Sequence, residues 1–196
     1  MSERVTPEKV ITYLEMTGLD RLRPARLIEG VRLLPVADPS GDDLARLREV
    51  HDRIGSAHRW SSLAWSQQRW ADWVADPVTE HWWVMTGETV AGWGCLRRHP
   101  ERHVELDTFG LLPEYIGHEF GGHALTLLTR RAWHLPGPRD TVEAGPPVRR
   151  VWLRTSSWDH PHALRNYLAR GFTPVTAHEA AAGRPGDGAG SRTPGE

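Results

Sequence analysis

Cysteine is almost absent from this sequence of 196 residues, which contains only Cys95. One thiol cannot form an internal disulfide framework, and this favours a reducing, cytoplasmic environment. No Cys/His array has the spacing of a zinc site, so we predict no metal. No run approaches the roughly 20 apolar residues of a membrane span, and residues 1–9 lack the apolar region of a signal peptide. We therefore expect no association with a membrane.

Net charge is also small, because 24 basic and 25 acidic residues nearly cancel to −1 at pH 7. That balance argues against general binding to nucleic acid. A chain of this length suffices for one domain with a sizeable core and is short for two. Tryptophan is the one residue in excess, with ten copies. Most should be core residues, and a few could line a substrate cavity.

Hydrophobic periodicity divides the chain into strands and helices. Ser66 is a plausible N-cap, and the proline-rich stretch 134–147 is predicted to be a loop. Strands are predicted at 9–14, 28–35, 81–86, 89–96, 103–111, 151–155 and 172–176, and helices at 41–54, 65–74, 120–133 and 161–170.

In this order of elements, an antiparallel three-stranded meander leads into a strand–helix–strand crossover. We therefore predict an α/β (α+β) fold with a mixed, mostly antiparallel central sheet and helices on both faces. Residues 1–178 should form the single domain. Residues 179–196, rich in glycine and proline, should be a disordered tail.

A glycine-rich loop joins the strand at 103–111 to the helix at 120–133. It contains Gly117, and the helix begins near Gly121 and Gly122. A helix N-terminus carries unpaired N–H groups and a partial positive charge, and glycines let a bulky anion approach closely. This chemistry suits a diphosphate, although the same glycines could simply let the helix pack on the strand. The loop is neither a dinucleotide fingerprint nor a P-loop.

Two blocks carry a family resemblance. Residues 111–122, Leu-Leu-Pro-Glu-Tyr-Ile-Gly-His-Glu-Phe-Gly-Gly, resemble the acetyl-CoA signature of GNAT acetyltransferases, in outline apolar-x-Pro-Glu-Tyr-Arg-Gly-x-Gly-x-Gly. Residues 163–172 are similar to the family's Ala-x-x-x-Tyr-x-x-x-Gly-Phe. The order and spacing of the blocks fit a helix, a loop and a strand, and residues 9–176 as a whole look like a bacterial GNAT subgroup. The resemblance supports the fold predicted above.

The first block departs from the family pattern at two positions. Ile116 replaces an arginine or glutamine, and Glu119 replaces the middle glycine. A carboxylate about 5 Å from a diphosphate would cost roughly 1–3 kcal/mol, and the cost falls toward zero if the side chain turns to solvent. His118, if protonated, could partly compensate.

The resemblance implies direct transfer of an acetyl group from acetyl-CoA to an amine within a ternary complex. Backbone N–H groups of the strand that ends at Leu111 would polarise the thioester carbonyl, as in an oxyanion hole. Tyr167 matches the family's tyrosine that protonates the departing thiolate; alternatively it is a core tyrosine. The residues implied to bind acetyl-CoA are Phe109, Gly110, Leu111, Gly117, His118, Glu119, Phe120, Gly121, Gly122 and His160.

Several residues are candidates for the general base that removes the amine's proton. Glu105 and Asp107 lie two apart on one strand and so share a face, which looks either into the cleft or into solvent. Asp159 is a third candidate, but we expect it to cap the following helix. His160 stands at the family's asparagine position, where it could bind CoA, act as a base or merely begin the helix.

The acceptor should be a primary amine of a small molecule. In this fold, several aromatic residues fall in segments around the acceptor cleft, which hints at an apolar or aromatic acceptor. They are His58, Trp60, Trp65, Trp82, Trp83 and Trp93. The alternatives are a protein N-acetyltransferase, an acyl-CoA-binding protein with lost or weak catalysis, and a structural or partner-binding domain. A homodimer is a reasonable default assembly.

Overall fold

A computed structural model describes residues 8–135 and 147–181. In this part of the chain the strands and α-helices follow one another in nearly the predicted order. The strands are β1 Ile11–Met16, β2 Val31–Pro35, β3 Thr79–Thr86, β4 Thr89–His99, β5 His103–Leu111, β6 Arg150–Ser156 and β7 Thr173–Val175. The helices are α1 Asp43–Ser56, α2 Gln67–Val74, α3 Phe120–Trp133, α4 Ala163–Ala169 and α5 Ala177–Ala181.

The strands form one sheet in the order β2-β3-β4-β5-β6-β1-β7. All neighbouring strands are antiparallel except β5 and β6, which are parallel and are joined through α3. A parallel pair needs such a crossover connection. The predicted mixed, mostly antiparallel sheet is therefore confirmed.

Strand β1 lies between β6 and β7 and pairs with both, from Ile11 opposite Ser156 to Met16 opposite Val151. The sequence did not predict this placement, because periodicity identifies a strand but not its neighbours. As a result, the two parallel strands β6 and β7 are separated by the N-terminal strand.

Helices cover both faces of the sheet, as predicted. On one face α3 buries Leu125 and Leu128 against strand residues that include Leu96. On the other face α1 and α2 bury Leu47 and Trp70 in a second cluster. This second cluster is rich in tryptophan, which supplies large apolar area per side chain.

Element bounds differ modestly from those predicted. The helix at 120–133 and the strand at 103–111 coincide with prediction, whereas β4 extends to His99. The Ser66 hydroxyl accepts a hydrogen bond from the Arg69 N–H at 3.2 Å, so its role as N-cap is confirmed. Helix α5 was not predicted. Residues 136–146 of the predicted loop and 182–196 of the predicted tail lie outside the described residues.

Candidate functional site

An opening between β5 and β6 forms the centre of a large cavity. The two strands pair only from His103 opposite Arg150 to Glu105 opposite Trp152, and then β5 continues to Leu111 without pairing to β6. A β-bulge bends β5 at this point: Leu96 faces Leu106 and Cys95 faces Thr108, so Asp107 is the extra residue. The separating strands border a cavity of about 1230 Å³.

The N-terminus of α3 lies at the rim of this cavity. No side chain caps the helix, and Glu119 at the N-cap has a left-handed backbone with φ 61°. Gly117 has φ 91°, a conformation that favours glycine. A Cβ at Gly121 would be 3.7 Å from Leu111 Cδ1 and 3.8 Å from Asn166 Nδ2, which are ordinary van der Waals distances, so a side chain there meets no clash. Uncapped N–H groups on a 14-residue helix fit a pyrophosphate group.

Gly122 serves packing as well. A Cβ there would be 2.6 Å from Arg170 Nη1 and 3.1 Å from Ala25 Cβ. Nearby, Asn166 Nδ2 donates to the Gly121 carbonyl at 3.2 Å. The glycine pair therefore both opens the helix end and lets α3 contact α4 closely.

Tyr167 lies on α4 and lines the same cavity. Its ring is partly buried and packs edge-on against Phe172, with centroids 6.3 Å apart. Burial raises the pKa of Tyr167 above its usual value, and the negative charge of Asp159 raises it further. The phenol therefore stays protonated at neutral pH and can donate a proton.

Glu105 and Asp107 both line the cavity, so their shared face looks into the cleft rather than into bulk solvent. Glu105 is only 1% exposed. Its Oε2 lies 2.8 Å from His99 Nε2, and Oε1 has no hydrogen-bond partner, with Arg154 Nε at 3.9 Å. An incompletely paired buried carboxylate can accept a proton from a bound molecule.

Asp107 is also enclosed, with Arg97 Nε at 3.4 Å from its Oδ2. Burial raises the pKa of Asp107, and so does the adjacent charge of Glu105. Arg97 also forms an ion pair with Asp76 at 2.8 Å. Asp107 therefore shares its arginine partner with Asp76.

His160 lies at the cavity wall, as a member of a group of three imidazoles. Its Nδ1 accepts from the His162 N–H at 3.2 Å, and the His58 ring is 6.2 Å away. Burial lowers the pKa of His160, and the two neighbouring histidines lower it further. A neutral His160 imidazole can donate or accept a hydrogen bond without adding charge.

The expectation that Asp159 caps the following helix is wrong. Its Oδ2 accepts from Thr155 Oγ1 at 2.7 Å and from the Ser156 N–H at 2.8 Å. The N-cap of α4 is His162, with no side-chain hydrogen bond. Asp159 therefore fixes the end of β6.

Most of the residues predicted to bind acetyl-CoA line the cavity, and two do not. His118 and Phe120 lie outside its lining; their rings contact each other at 5.8 Å. Glu119 is exposed at the rim. The cavity lining includes Phe109, Gly110, Leu111, Gly117, Glu119, Gly121, Gly122 and His160.

The expectation that six aromatic residues surround the acceptor cleft is correct for only three of them. His58, Trp60 and Trp65 line the cavity, but Trp82, Trp83 and Trp93 do not. Trp83 and Trp93 are 3% and 0% exposed in the core, and Trp82 packs on the opposite face of the sheet. The sequence could not decide which strand residues face the cleft. Two tryptophans of α2 that were not expected there, Trp70 and Trp73, line the cavity instead.

Sequence reasoning also missed a hydrogen-bonded row of Ser62, His51 and Asp52 at the same cavity. His51 Nε2 is 2.7 Å from Ser62 Oγ, and His51 Nδ1 is 2.7 Å from Asp52 Oδ1. No local motif marks these residues. The one available signal was His51, a polar residue on the otherwise apolar buried face of α1, followed directly by an acid.

In residues 8–135 and 147–181, no group of three His, Cys, Asp or Glu side chains is placed to hold a metal ion. No helix in that part of the chain is long and apolar enough to cross a bilayer.

The sequence model of the Acetyltransferase (GNAT) family matches residues 46–172. The sequence matches no curated protein. Among solved structures, a GCN5-related N-acetyltransferase from Sphaerobacter thermophilus is similar with a TM-score of 0.59 and 14% identity, over 87% of this chain and 50% of that one.

A GCN5-related N-acetyltransferase from Kribbella flavida has a TM-score of 0.55 and 15% identity, over 85% of this chain and 56% of its own. YycN of Bacillus subtilis has a TM-score of 0.52 and 19% identity, over 75% of this chain and 94% of that one. The chain thus spans about half the length of the first two proteins and nearly all of the third. At these identities the likeness concerns the fold.

Proposed function

Because the chain belongs to the GNAT acetyltransferase family, we propose that it is an acetyl-CoA-dependent N-acetyltransferase acting on a primary amine of a small molecule. The observation that carries the proposal is one cavity that joins three features. These are the uncapped N-terminus of α3, the unpaired edge of β5 and the hydroxyl-bearing ring of Tyr167.

The chain's own residues define where the donor binds. The N–H groups at the start of α3, near Gly117 and Gly121, receive the pyrophosphate. Beyond Glu105, the edge of β5 that faces β6 has no strand partner in the described chain, so its backbone can pair with an extended pantetheine arm. When bound, acetyl-CoA supplies an activated acyl group as a thioester.

The backbone of β5 and Tyr167 act on different atoms of the thioester. The Leu111 N–H points away from β4, because the next N–H along the chain, that of Leu112, donates to Ala91 of β4. The Leu111 N–H donates to the oxygen that becomes negative during attack. Tyr167, kept protonated by its surroundings, delivers its proton to the departing sulfur.

Glu105 is the better of the two proposed general bases. Its Oε1 has no hydrogen-bond partner and the residue lines the cavity, whereas Asp107 Oδ2 lies 3.4 Å from Arg97 Nε. An incoming ammonium group must lose a proton before its nitrogen attacks, and Glu105 can accept it directly or through water. The acceptor then lies against the tryptophans and histidines of α1, α2 and the segment between them. The protein is proposed to act in the cytoplasm, with a homodimer as its default assembly.

The test begins with calorimetric titration of acetyl-CoA into the wild-type protein, Gly121→Ala and Gly121→Asp. The two variants add a side chain at the same position, where a Cβ meets no clash, and only one adds a charge. We expect binding by the wild type and by Gly121→Ala, and a loss of about 5- to 150-fold for Gly121→Asp, which corresponds to about 1–3 kcal/mol for a nearby carboxylate. Absence of binding to the wild type at millimolar acetyl-CoA would contradict the proposal.

Catalysis is tested by release of free CoA thiol from acetyl-CoA in a panel of small amines. Binding without thiol release from any amine would favour a second candidate, an acyl-CoA-binding protein with weak catalysis. Glu119 favours that candidate, because it places a carboxylate at the rim where the diphosphate would bind. Thiol release with peptide N-termini alone would instead indicate a protein N-acetyltransferase.

A further inference from the structure

Ser62, His51 and Asp52 have the geometry of a nucleophile, a base and an orienting acid. Ser62 Oγ lies 2.7 Å from His51 Nε2, and Asp52 Oδ1 lies 2.7 Å from His51 Nδ1. A carboxylate at Nδ1 accepts the N–H there, so the lone pair of Nε2 faces the serine hydroxyl. This tautomer is the one that removes a proton from serine.

Neighbouring side chains fix the positions of Ser62, His51 and Asp52. Arg48 Nε lies 3.0 Å from Asp52 Oδ2 and its Nη2 donates to the Leu63 carbonyl at 3.0 Å, so one side chain ties the acid to the segment that carries Ser62. His51 is 2% exposed. Its ring is enclosed by three indoles, those of Trp60, Trp70 and Trp93.

His51 is therefore a neutral base under ordinary conditions. Burial lowers the pKa of His51, and the hydrogen bond and charge of Asp52 only partly oppose it, with Arg48 adding to the decrease. Arg48 and Asp52, both on α1, are the charged groups that act on the ring. The other elements packed on it present Ser62 and the three indoles.

Ser62 is open to a ligand. It is partly exposed, and both Ser62 and His51 line the large cavity. One turn after His51, Ile54 packs on Gly110 of β5, so α1 lies against the strand edge that borders the same cavity. An activated hydroxyl thus faces a space large enough for an acyl donor.

We propose that Ser62 is an acyl-accepting nucleophile that gives this cavity a second, hydrolytic activity toward activated esters. The Ser62 oxygen attacks the ester carbonyl as its proton passes to His51 Nε2. The bond from the carbonyl carbon to the alcohol oxygen breaks, and the leaving group departs with that proton, or as its anion while His51 releases the proton to solvent. Water then attacks the acyl-serine and gives one proton to neutral His51, which passes it to the Ser62 oxygen as the acyl–serine bond breaks. The carboxylic acid leaves and loses its remaining proton to solvent.

The test uses 4-nitrophenyl acetate and a fluorophosphonate probe on the full-length protein, without CoA. Neither reagent needs the α3 N-terminus, so failure here leaves acetyl-CoA binding unaffected and the two proposals stay distinguishable. We expect nitrophenolate release, one covalent phosphonate per chain, and its location on the Ser62 peptide by mass spectrometry. Labelling elsewhere, or none, would overturn the proposal.

Variants separate chemistry from structure. Ser62→Ala and His51→Gln should each lower the rate of nitrophenolate release at least a hundredfold. Asp52→Asn should lower the same rate by a smaller factor. Ser61→Ala is the matched control, since Ser61 is the adjacent cavity-lining serine, and it should behave as wild type. The wild-type rate should remain high down to mildly acidic pH, because the pKa of His51 is lowered. If a variant fails to fold, as judged by thermal melting, labelling of the wild type alone decides.

Discussion

Two regions of the molecule meet at the cavity and are built in different ways. The cofactor half, which comprises β5, α3, β6 and α4, is shaped by main-chain geometry: a β-bulge, an uncapped helix end and glycines with positive φ. The acceptor half comprises α1, α2, β3, β4 and the segment between the two helices. It is shaped by side chains, with tryptophans stacked around buried histidines.

This difference explains why one half can be assigned a ligand and the other cannot. Backbone N–H groups at a helix end are suited to a phosphate whatever side chains surround them. A wall of indoles, by contrast, accepts many shapes, and its selectivity depends on rotamers and polar groups particular to this chain. Under the proposed function, the cofactor half therefore follows the family and the acceptor half determines the substrate.

Tyr167→Phe should give the largest effect and tests the cofactor half directly. Loss of the hydroxyl removes the proton donor to the departing thiolate, so kcat should fall by about 10²–10⁴-fold. Affinity for acetyl-CoA, measured by calorimetry, should barely change. Tyr13→Phe is the matched control, because Tyr13 also lines the cavity and has no proposed role. Equal turnover in Tyr167→Phe would remove this residue from the mechanism.

Gly171→Ala should damage the cofactor half through its backbone. Gly171 has φ 97°, and a Cβ there would overlap the Arg21 carbonyl. The left-handed conformation costs about 1–2 kcal/mol, and overpacking adds about 1–3 kcal/mol. We expect the free energy of unfolding, measured in urea, to fall by about 3–4 kcal/mol. Gly87→Ala controls for positive φ alone, because nothing lies near its Cβ position; an equal loss there would refute the steric argument.

The cofactor half was also easier to predict from the sequence than the acceptor half. The strand at 103–111 and the helix at 120–133 were predicted to the residue, because a glycine-rich loop separates two clear periodicities. The cavity lining near Gly121 and Tyr167 followed from two motifs. Trp83 and Trp93 were misplaced because α1 and α2 cover them in the core, and alternation along a strand does not show how deeply a residue is buried.

Long-range pairing was invisible for a related reason. Nothing local to β1 shows that it lies between β6 and β7, and nothing links Ser62 to His51 eleven residues earlier. Such contacts depend on how the chain packs and leave no spacing pattern. Motifs therefore indicated the proposed donor site, whereas the proposed acceptor site required coordinates.

His81 allows a test of the acceptor half through pH. Its Nε2 lies 3.1 Å from the Val74 carbonyl and its ring stacks on Trp93 at 5.8 Å. Burial lowers the pKa of His81 from 6.5 to about 4. The unfolded chain therefore binds a proton below pH 6.5 that the folded chain does not. Stability from this group is complete above pH 6.5 and falls as pH decreases toward 4, by about 3 kcal/mol.

Urea unfolding of the wild type and His81→Gln from pH 7.5 to 4 measures this contribution. The glutamine keeps a donor near Val74 but cannot titrate. Other histidines with lowered pKa, such as His51, remain in both proteins, so the difference between the two curves isolates His81. Parallel curves would show that His81 does not cause the loss of stability in acid.

Glu119→Gln should give the smallest effect, and it tests whether the charge at the rim of the cofactor half affects binding of acetyl-CoA. Glu119 replaces a glycine of the family pattern, but its side chain is exposed and can turn to solvent. Water and salt screen its charge, so we expect tighter acetyl-CoA binding by about 1 kcal/mol or less, declining as ionic strength rises. Glu101→Gln removes the same charge just before the opposite end of β5 and should leave affinity unchanged. A gain that is large and independent of salt would mean that the Glu119 carboxylate lies in the phosphate position itself, and that this chain binds acyl-CoA only after moving it aside.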